Sequence, residues 1–220
     1  MKKTVSILAS SCMALSLIFS GCGDEELQPK EVSYGEVNKE TFTYENEYLG
    51  MGAKLTEEFE LQSAEDLGQN LEDAKAMFED TELEESVDDA QMFMDVQALN
   101  PDNGDNFNIL YQELNKEEWN AYAQASDDEI IDGVFNQKDQ LQKSFEEAGL
   151  DVVSMEKGSL KFVGETVPTI ETKVEMYGMT LYIVQVAKFN LGGKYGIMIT
   201  FTSTDEAGIQ NMADSFYALE

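Results

Sequence analysis

TLYIVQVAKFNLGGKYGIMITFT, residues 180–202, is the stretch whose reading decides the fold. Thr180 to Phe189 and Tyr195 to Thr202 are dense in β-branched and aromatic residues, and Asn190-Leu191-Gly192-Gly193 between them is a turn signal. Two such runs about a short Gly-containing loop read as an antiparallel hairpin. Upstream, Val152 to Glu156 and Leu160 to Gly164 are strand-like, the latter continuing past Pro168 to Met176. Strands so closely spaced pair as neighbours, so an antiparallel sheet is expected across residues 152–203. Downstream, Thr204 or Ser203 can cap a final helix in which Ile209, Met212, Phe216 and Leu219 face one way.

Toward the N-terminus the period changes. Ser126-Asp127-Asp128-Glu129 is a capping box, and Ile130, Val134, Leu141, Phe145 and Ala148 form one apolar stripe ending at Gly149. One long helix is expected there. Gln91 to Leu99 alternates Met92, Met94, Val96 and Ala98 on one face, and Phe107 to Leu114 places Phe107, Ile109 and Tyr111 together. The turn-forming residues 100–106 join these two strands. Ser63-Ala64-Glu65-Asp66 is a second capping box, followed by Leu67, Leu71, Ala74 and Phe78 at helical spacing, so a helix is expected from Ala64 to about Glu79. Thr41 to Asn46 and Tyr48 to Leu55 read as an opening strand or hairpin, while Gly23 to Glu40 is polar and acidic. Strand runs alternating with one-sided helices give an α+β fold, a mainly antiparallel sheet flanked by helices. The expected organisation is a leader over 1–21, an acidic tether over 22–40 and a single domain over 41–220.

Composition removes whole classes of chemistry. The chain has 14 Lys and Arg together, all of them Lys, against 44 Asp and Glu, and no His, for a net charge of −30. Loss of residues 1–21 would take Lys2 and Lys3 and no carboxylate, moving the charge to −32. Nucleic acid needs clustered positive charge, so it is excluded as a partner. An anionic bilayer would also repel the domain itself. Without His there is no Ser-His-Asp triad and no imidazole ligand. Without Arg there is no bidentate fork for phosphate or carboxylate. Carboxylate, lysine and hard-cation chemistry remain available.

Lys2 and Lys3 precede an apolar run from Val5 to Phe19, which Ser20-Gly21-Cys22 and then Asp24-Glu25-Glu26 follow. The run is short of the roughly 20 apolar residues of a membrane-spanning helix and reads as a cleaved signal. Phe19-Ser20-Gly21-Cys22 resembles the lipobox of bacterial lipoproteins, with Phe19 where Leu is commonest. The resemblance implies diacylation of Cys22 and an extracytoplasmic domain held to the cell membrane by that lipid. Cleavage would discard Cys12, leaving no disulfide and no free thiol.

Phe42-x-Tyr44-x-Asn46, Gly50-Met51-Gly52, the acid-capped central helix, Lys161-Phe162-x-Gly164 before a long hairpin and the closing helix resemble small lipoproteins of Gram-positive gut bacteria. The element order over Thr41 to Glu220 is similar to the PsbP/Mog1-like α/β/α sandwich. That resemblance implies a fold whose members act mostly as non-enzymatic partners or assembly factors, and it brings no catalytic residues.

Several constellations bear on function. Asp102, Asn103, Asp105 and Asn106 could supply oxygen ligands to Ca²⁺, although Pro101 and Gly104 suit a β-turn and the spacing is not that of an EF-hand. Glu82, Glu84, Glu85, Asp88 and Asp89 read as a solvated face or as a landing patch for a basic partner. A glycosidase needs a carboxylate pair and a stacking platform. Trp119 beside Glu117 and Glu118, with Tyr122 one turn on, is more simply core. Lys161 and Lys188 fall in alternating strands as outward-facing residues. Tyr44, Tyr48, Tyr177, Tyr182 and Tyr195 with Phe42 and Phe189 either pack beneath helices or offer an aromatic surface to a flat ligand. The expected function is a lipid-anchored extracytoplasmic binding or assembly module that contacts a protein or small ligand. The alternatives are a Ca²⁺- or carbohydrate-binding accessory protein and a carboxylate-based hydrolase.

Overall fold

A computed structural model describes residues 33–67, 92–191 and 193–219. The fold is α+β and richer in strand than in helix. Strands β1 (Glu36–Asn38), β2 (Thr43–Asn46), β3 (Met51–Lys54) and β11 (Phe216–Ala218) form a small antiparallel sheet in the order β1-β2-β3-β11. The large sheet contains β4 (Glu60–Ser63), β5 (Met92–Leu99), β6 (Asn106–Glu113), β7 (Asp151–Phe162), β8 (Glu165–Met176), β9 (Met179–Lys188) and β10 (Tyr195–Ser203). Its order is β4-β5-β6-β10-β9-β8-β7, and every pair is antiparallel.

Alternation along the strands sorts the core into layers. One face of the large sheet presents Val184 and Val186 from β9 and Ile197, Ile199 and Phe201 from β10 to the small sheet's Tyr44, Met51 and Ala53. Helix α4 (Glu206–Asp214) lies on the same face and adds Ile209, Met212 and Ala213. The opposite face carries α1 (Lys116–Tyr122), α2 (Asp127–Phe135) and α3 (Lys138–Glu147). There Trp119, Tyr122, Ile130 and Leu141 pack on Ile170, Ala187 and Phe189, and Phe145 and Leu150 pack on Val174 and Ile183.

Local chemistry explains the helix ends. Ser126 caps α2, accepting the Glu129 N–H while the Glu129 carboxylate accepts the Ser126 N–H. Ser63 and Asp66 make the same reciprocal pair, and residues 64–67 are helical. The rest of the helix expected to Glu79 lies outside the described residues. The expected long helix is two, because Asn136 ends α2 and Gln137 begins α3. Gly149, at φ 80°, terminates α3 as anticipated: its N–H donates to Glu146 O and that of Leu150 to Phe145 O, a Schellman motif.

Four other expectations are corrected. Glu36–Asn38 pairs with β2, so this part of the expected 22–40 tether belongs to the small sheet. Residues 151–162 form one strand, and two-residue turns at Val163-Gly164 and Tyr177-Gly178, all four with positive φ, close the hairpins of β8. Asp205, and neither Ser203 nor Thr204, caps α4, accepting the Ala207 and Gly208 N–H groups at 2.6 and 3.2 Å. That helix stops at Asp214, and Phe216 pairs with Ala53 in a strand, so its helical spacing from Met212 is coincidental.

Candidate functional site

The small sheet does not cover the whole face beneath it. Beside β9 and the β7–β8 hairpin, a cleft of about 430 Å³ opens between the two sheets. Ile197 and Ile199, both fully buried, line it from β10, Leu49, Met51 and Ala218 from the small sheet, and Phe162, Val163 and Val167 from the hairpin. Such walls are aliphatic apart from Phe162.

Polar groups gather at the same cleft. Lys188 continues the register of Val184 and Val186, so it lies on the inter-sheet face, which corrects the outward placement expected of it. Its ammonium bonds the carboxylate of Asp127, in the first turn of α2. The positive end of that helix favours a carboxylate there. Asn190 Nδ2 donates to Asp127 Oδ1 and to Ala125 O, both at 3.1 Å, tying the end of β9 to the start of α2. Glu165 is exposed at the cleft. An apolar body with a few convergent polar groups is the usual make-up of a small-molecule site.

Across the sheet from this cleft sits a buried carboxylate that sequence reasoning missed. Asp95 is the extra residue of a β-bulge between Met94 and Val96, opposite Leu110 and Ile109. The bulge turns it inward, and Met92 and Met94 therefore do not share a face with Val96 and Ala98 as expected. Asp95 is fully buried. Its Oδ1 accepts the Gly35 N–H at 2.8 Å, and its Oδ2 accepts the Tyr44 hydroxyl at 2.6 Å and Asn46 Nδ2 at 2.8 Å. Burial pushes the Asp95 carboxyl above its ordinary value, while the bonds from Tyr44, Gly35 and Asn46 pull it back. Desolvation, with the Asp95 charge as the next cause, drives the Tyr44 and Tyr111 hydroxyls strongly upward. Every Asp95 oxygen is satisfied within the protein, so this cluster is a clasp between sheets.

The residues singled out from sequence do not converge. Asp105 accepts the Ser203 hydroxyl at 2.6 Å through Oδ1 and Asn103 Nδ2 at 2.9 Å through Oδ2, and Asn106 Nδ2 turns back to Gly104 O at 3.0 Å. Asp102 lies in the same turn, closed by Asn100 N–H to Asp105 O at 2.8 Å. Among the described residues no three Asp, Glu, His or Cys side chains gather into a metal site. Glu118 completes a capping box with Asn115, and Trp119 and Tyr122 are core. Tyr44, Tyr48 and Phe189 are buried, whereas Tyr177 is 86% exposed on its turn. Cys22 and the acidic run over 82–89 lie outside the described residues. Among those described, no helix is long and apolar enough to cross a membrane. No protein-family model matches this chain, and comparison with the curated proteins gives no match either.

Proposed function

We propose that the protein is a non-enzymatic, lipid-anchored extracytoplasmic binding module, tethered through Cys22 and engaging its ligand in the cleft between the two sheets. The cleft carries this reading: it combines aliphatic walls with one ion pair, a constellation suited to holding a molecule and not to transforming it. The charge of the lysine lining it is paired with Asp127. The absence of His and Arg from the chain supports the same conclusion. The acidic surface would hold the domain off an anionic bilayer, leaving the lipid as the attachment. A PsbP/Mog1-like sandwich is the fold reading that goes with this proposal. In its favour are helices on both faces of the large sheet, α1–α3 on one and α4 on the other.

A photo-reactive amino acid in place of Leu191 tests the binding role on intact cells. Ultraviolet light should produce an adduct at position 191 and none from the same residue in place of exposed Glu156. Equal labelling at both positions would remove the cleft from the proposal. The anchor is tested separately, since a metabolic fatty-acid label should enter the wild type and not Cys22→Ala.

A further inference from the structure

The β7–β8 turn contains a conformation that its sequence should avoid. A two-residue hairpin turn with positive φ at both positions favours Asn-Gly, since a side chain branched at Cβ crowds the backbone there. Here the turn is Val163-Gly164, with φ 51° and 82°. Val163 is half-buried, packs against the inter-sheet core and lines the cleft. A strained residue persists where its surroundings hold it, and such residues cluster at ligand clamps.

The remaining groups of the cleft restrict what it can clamp. Among the described lining residues Phe162 is the sole aromatic, so the walls suit a flexible aliphatic chain better than a flat ring. Lys188 has three N–H donors, and one of them serves Asp127. Among the described residues the other two meet no acceptor, so they can meet an acceptor oxygen of a ligand. Charge argues against an anion: Asp127 already balances Lys188, Glu165 adds a second carboxylate, and the whole chain carries −30. Lys188 in turn opposes a cationic head.

We propose, resting on the binding-module reading, that the cleft takes a neutral acyl amide or ester, with Lys188 donating to its carbonyl oxygen and Val163 closing over its chain. The full chain carrying Cys22→Ser, which avoids partitioning of probes into an anchoring bilayer, is titrated calorimetrically with octanamide, octanoate and octylammonium. Octanamide should bind at least roughly 10-fold more tightly than either charged probe, and Lys188→Met should weaken it by about the same factor. Tighter binding of octanoate or octylammonium would overturn the ligand class and leave the binding module standing. Failure of all three at millimolar concentration would overturn both. Val163→Asn supplies the turn residue the backbone prefers, so melting should stay level or rise by about 2–4 °C while octanamide affinity falls. A lower melting temperature with unchanged affinity would make Val163 an ordinary packing residue and end its role as a clamp.

Discussion

Tyr44→Phe isolates what the Asp95 clasp contributes. Tyr44 is fully buried and its ring stays in the variant, so the change removes one hydroxyl without opening a large cavity. That hydroxyl donates to Asp95 Oδ2 at 2.6 Å, leaving the carboxyl with Gly35 N–H and Asn46 Nδ2. A hydrogen bond to a charged group contributes roughly 1.5–3 kcal/mol, so a loss of about 2 kcal/mol is expected where Asp95 is ionised. For a domain of this size, that is about 4–8 °C in Tm. The pH dependence has a definite sign. Burial raises the folded-state value of Asp95. Its stabilising contribution is therefore complete below the ordinary carboxyl value and is lost as pH rises through the raised one. Tyr44 opposes that loss by stabilising the carboxylate. Its removal should cost most at alkaline pH, falling to about 1 kcal/mol, the range of a neutral hydrogen bond, once Asp95 is protonated. Urea unfolding of the two proteins across a pH series spanning the Asp95 titration gives both numbers. A loss below about 0.5 kcal/mol at the alkaline end of the series, or one that grows on acidification, would refute the account.

Gly149→Ala meets no steric neighbour and bears only the cost of a positive φ, so it should lose about 1 kcal/mol, or about 2–4 °C in Tm. Gly52→Ala should lose at least twice as much by the same melt, because its Cβ would lie 2.7 Å from the Tyr44 carbonyl oxygen across the β2–β3 ladder. Calorimetric titration of the 100–106 turn with Ca²⁺ at millimolar concentration should yield no heat, since Asp105 is already engaged by Ser203 and Asn103.

What could be read from the chain was local, and what could not was tertiary. Ser126 with Glu129, Ser63 with Asp66, and Gly149 each satisfy backbone groups within a few residues, so their spacing alone reveals them. The hairpins over 92–113 and 179–203 were legible for the same reason. Asp95 was not, because an acid within a strand looks solvent-facing until Tyr44, Asn46 and Gly35 arrive from about 50 or 60 positions away. Val163-Gly164 was missed because a β-branched residue contradicts the turn it occupies. The cleft combines β3, β10, β11, the β7–β8 hairpin and the first turn of α2, and no motif spans such distances. Lys188 illustrates the limit: period-two alternation places it on a face but cannot say which face is covered.

Asn46 joins the clasp to the cleft. A row across the large sheet runs Phe93, Tyr111, Ile197 and Lys188, with the clasp over its β5–β6 end and the cleft over its β9 end. Asn46, 1% exposed, donates through Nδ2 to Asp95 and, at 2.9 Å, to the Tyr111 hydroxyl. Its Oδ1 accepts the Leu49 N–H at 3.0 Å, holding the β2–β3 turn whose Leu49 lines the cleft beside Met51 of β3. Asn46→Ala would strip one donor from a buried carboxylate and leave the Leu49 N–H without that acceptor, at a cost of about 2–4 kcal/mol. Leu49→Ala would disturb the cleft wall alone. If the small sheet is clamped at one flank so that a gap persists at the other, Asn46→Ala should speed amide exchange at Gly35 and Leu49 together, and Leu49→Ala should leave Gly35 protected. Equal loss of Gly35 protection in both variants would mean that clasp and cleft open as one unit, and Asn46 would then have no separate role in holding the cleft wall.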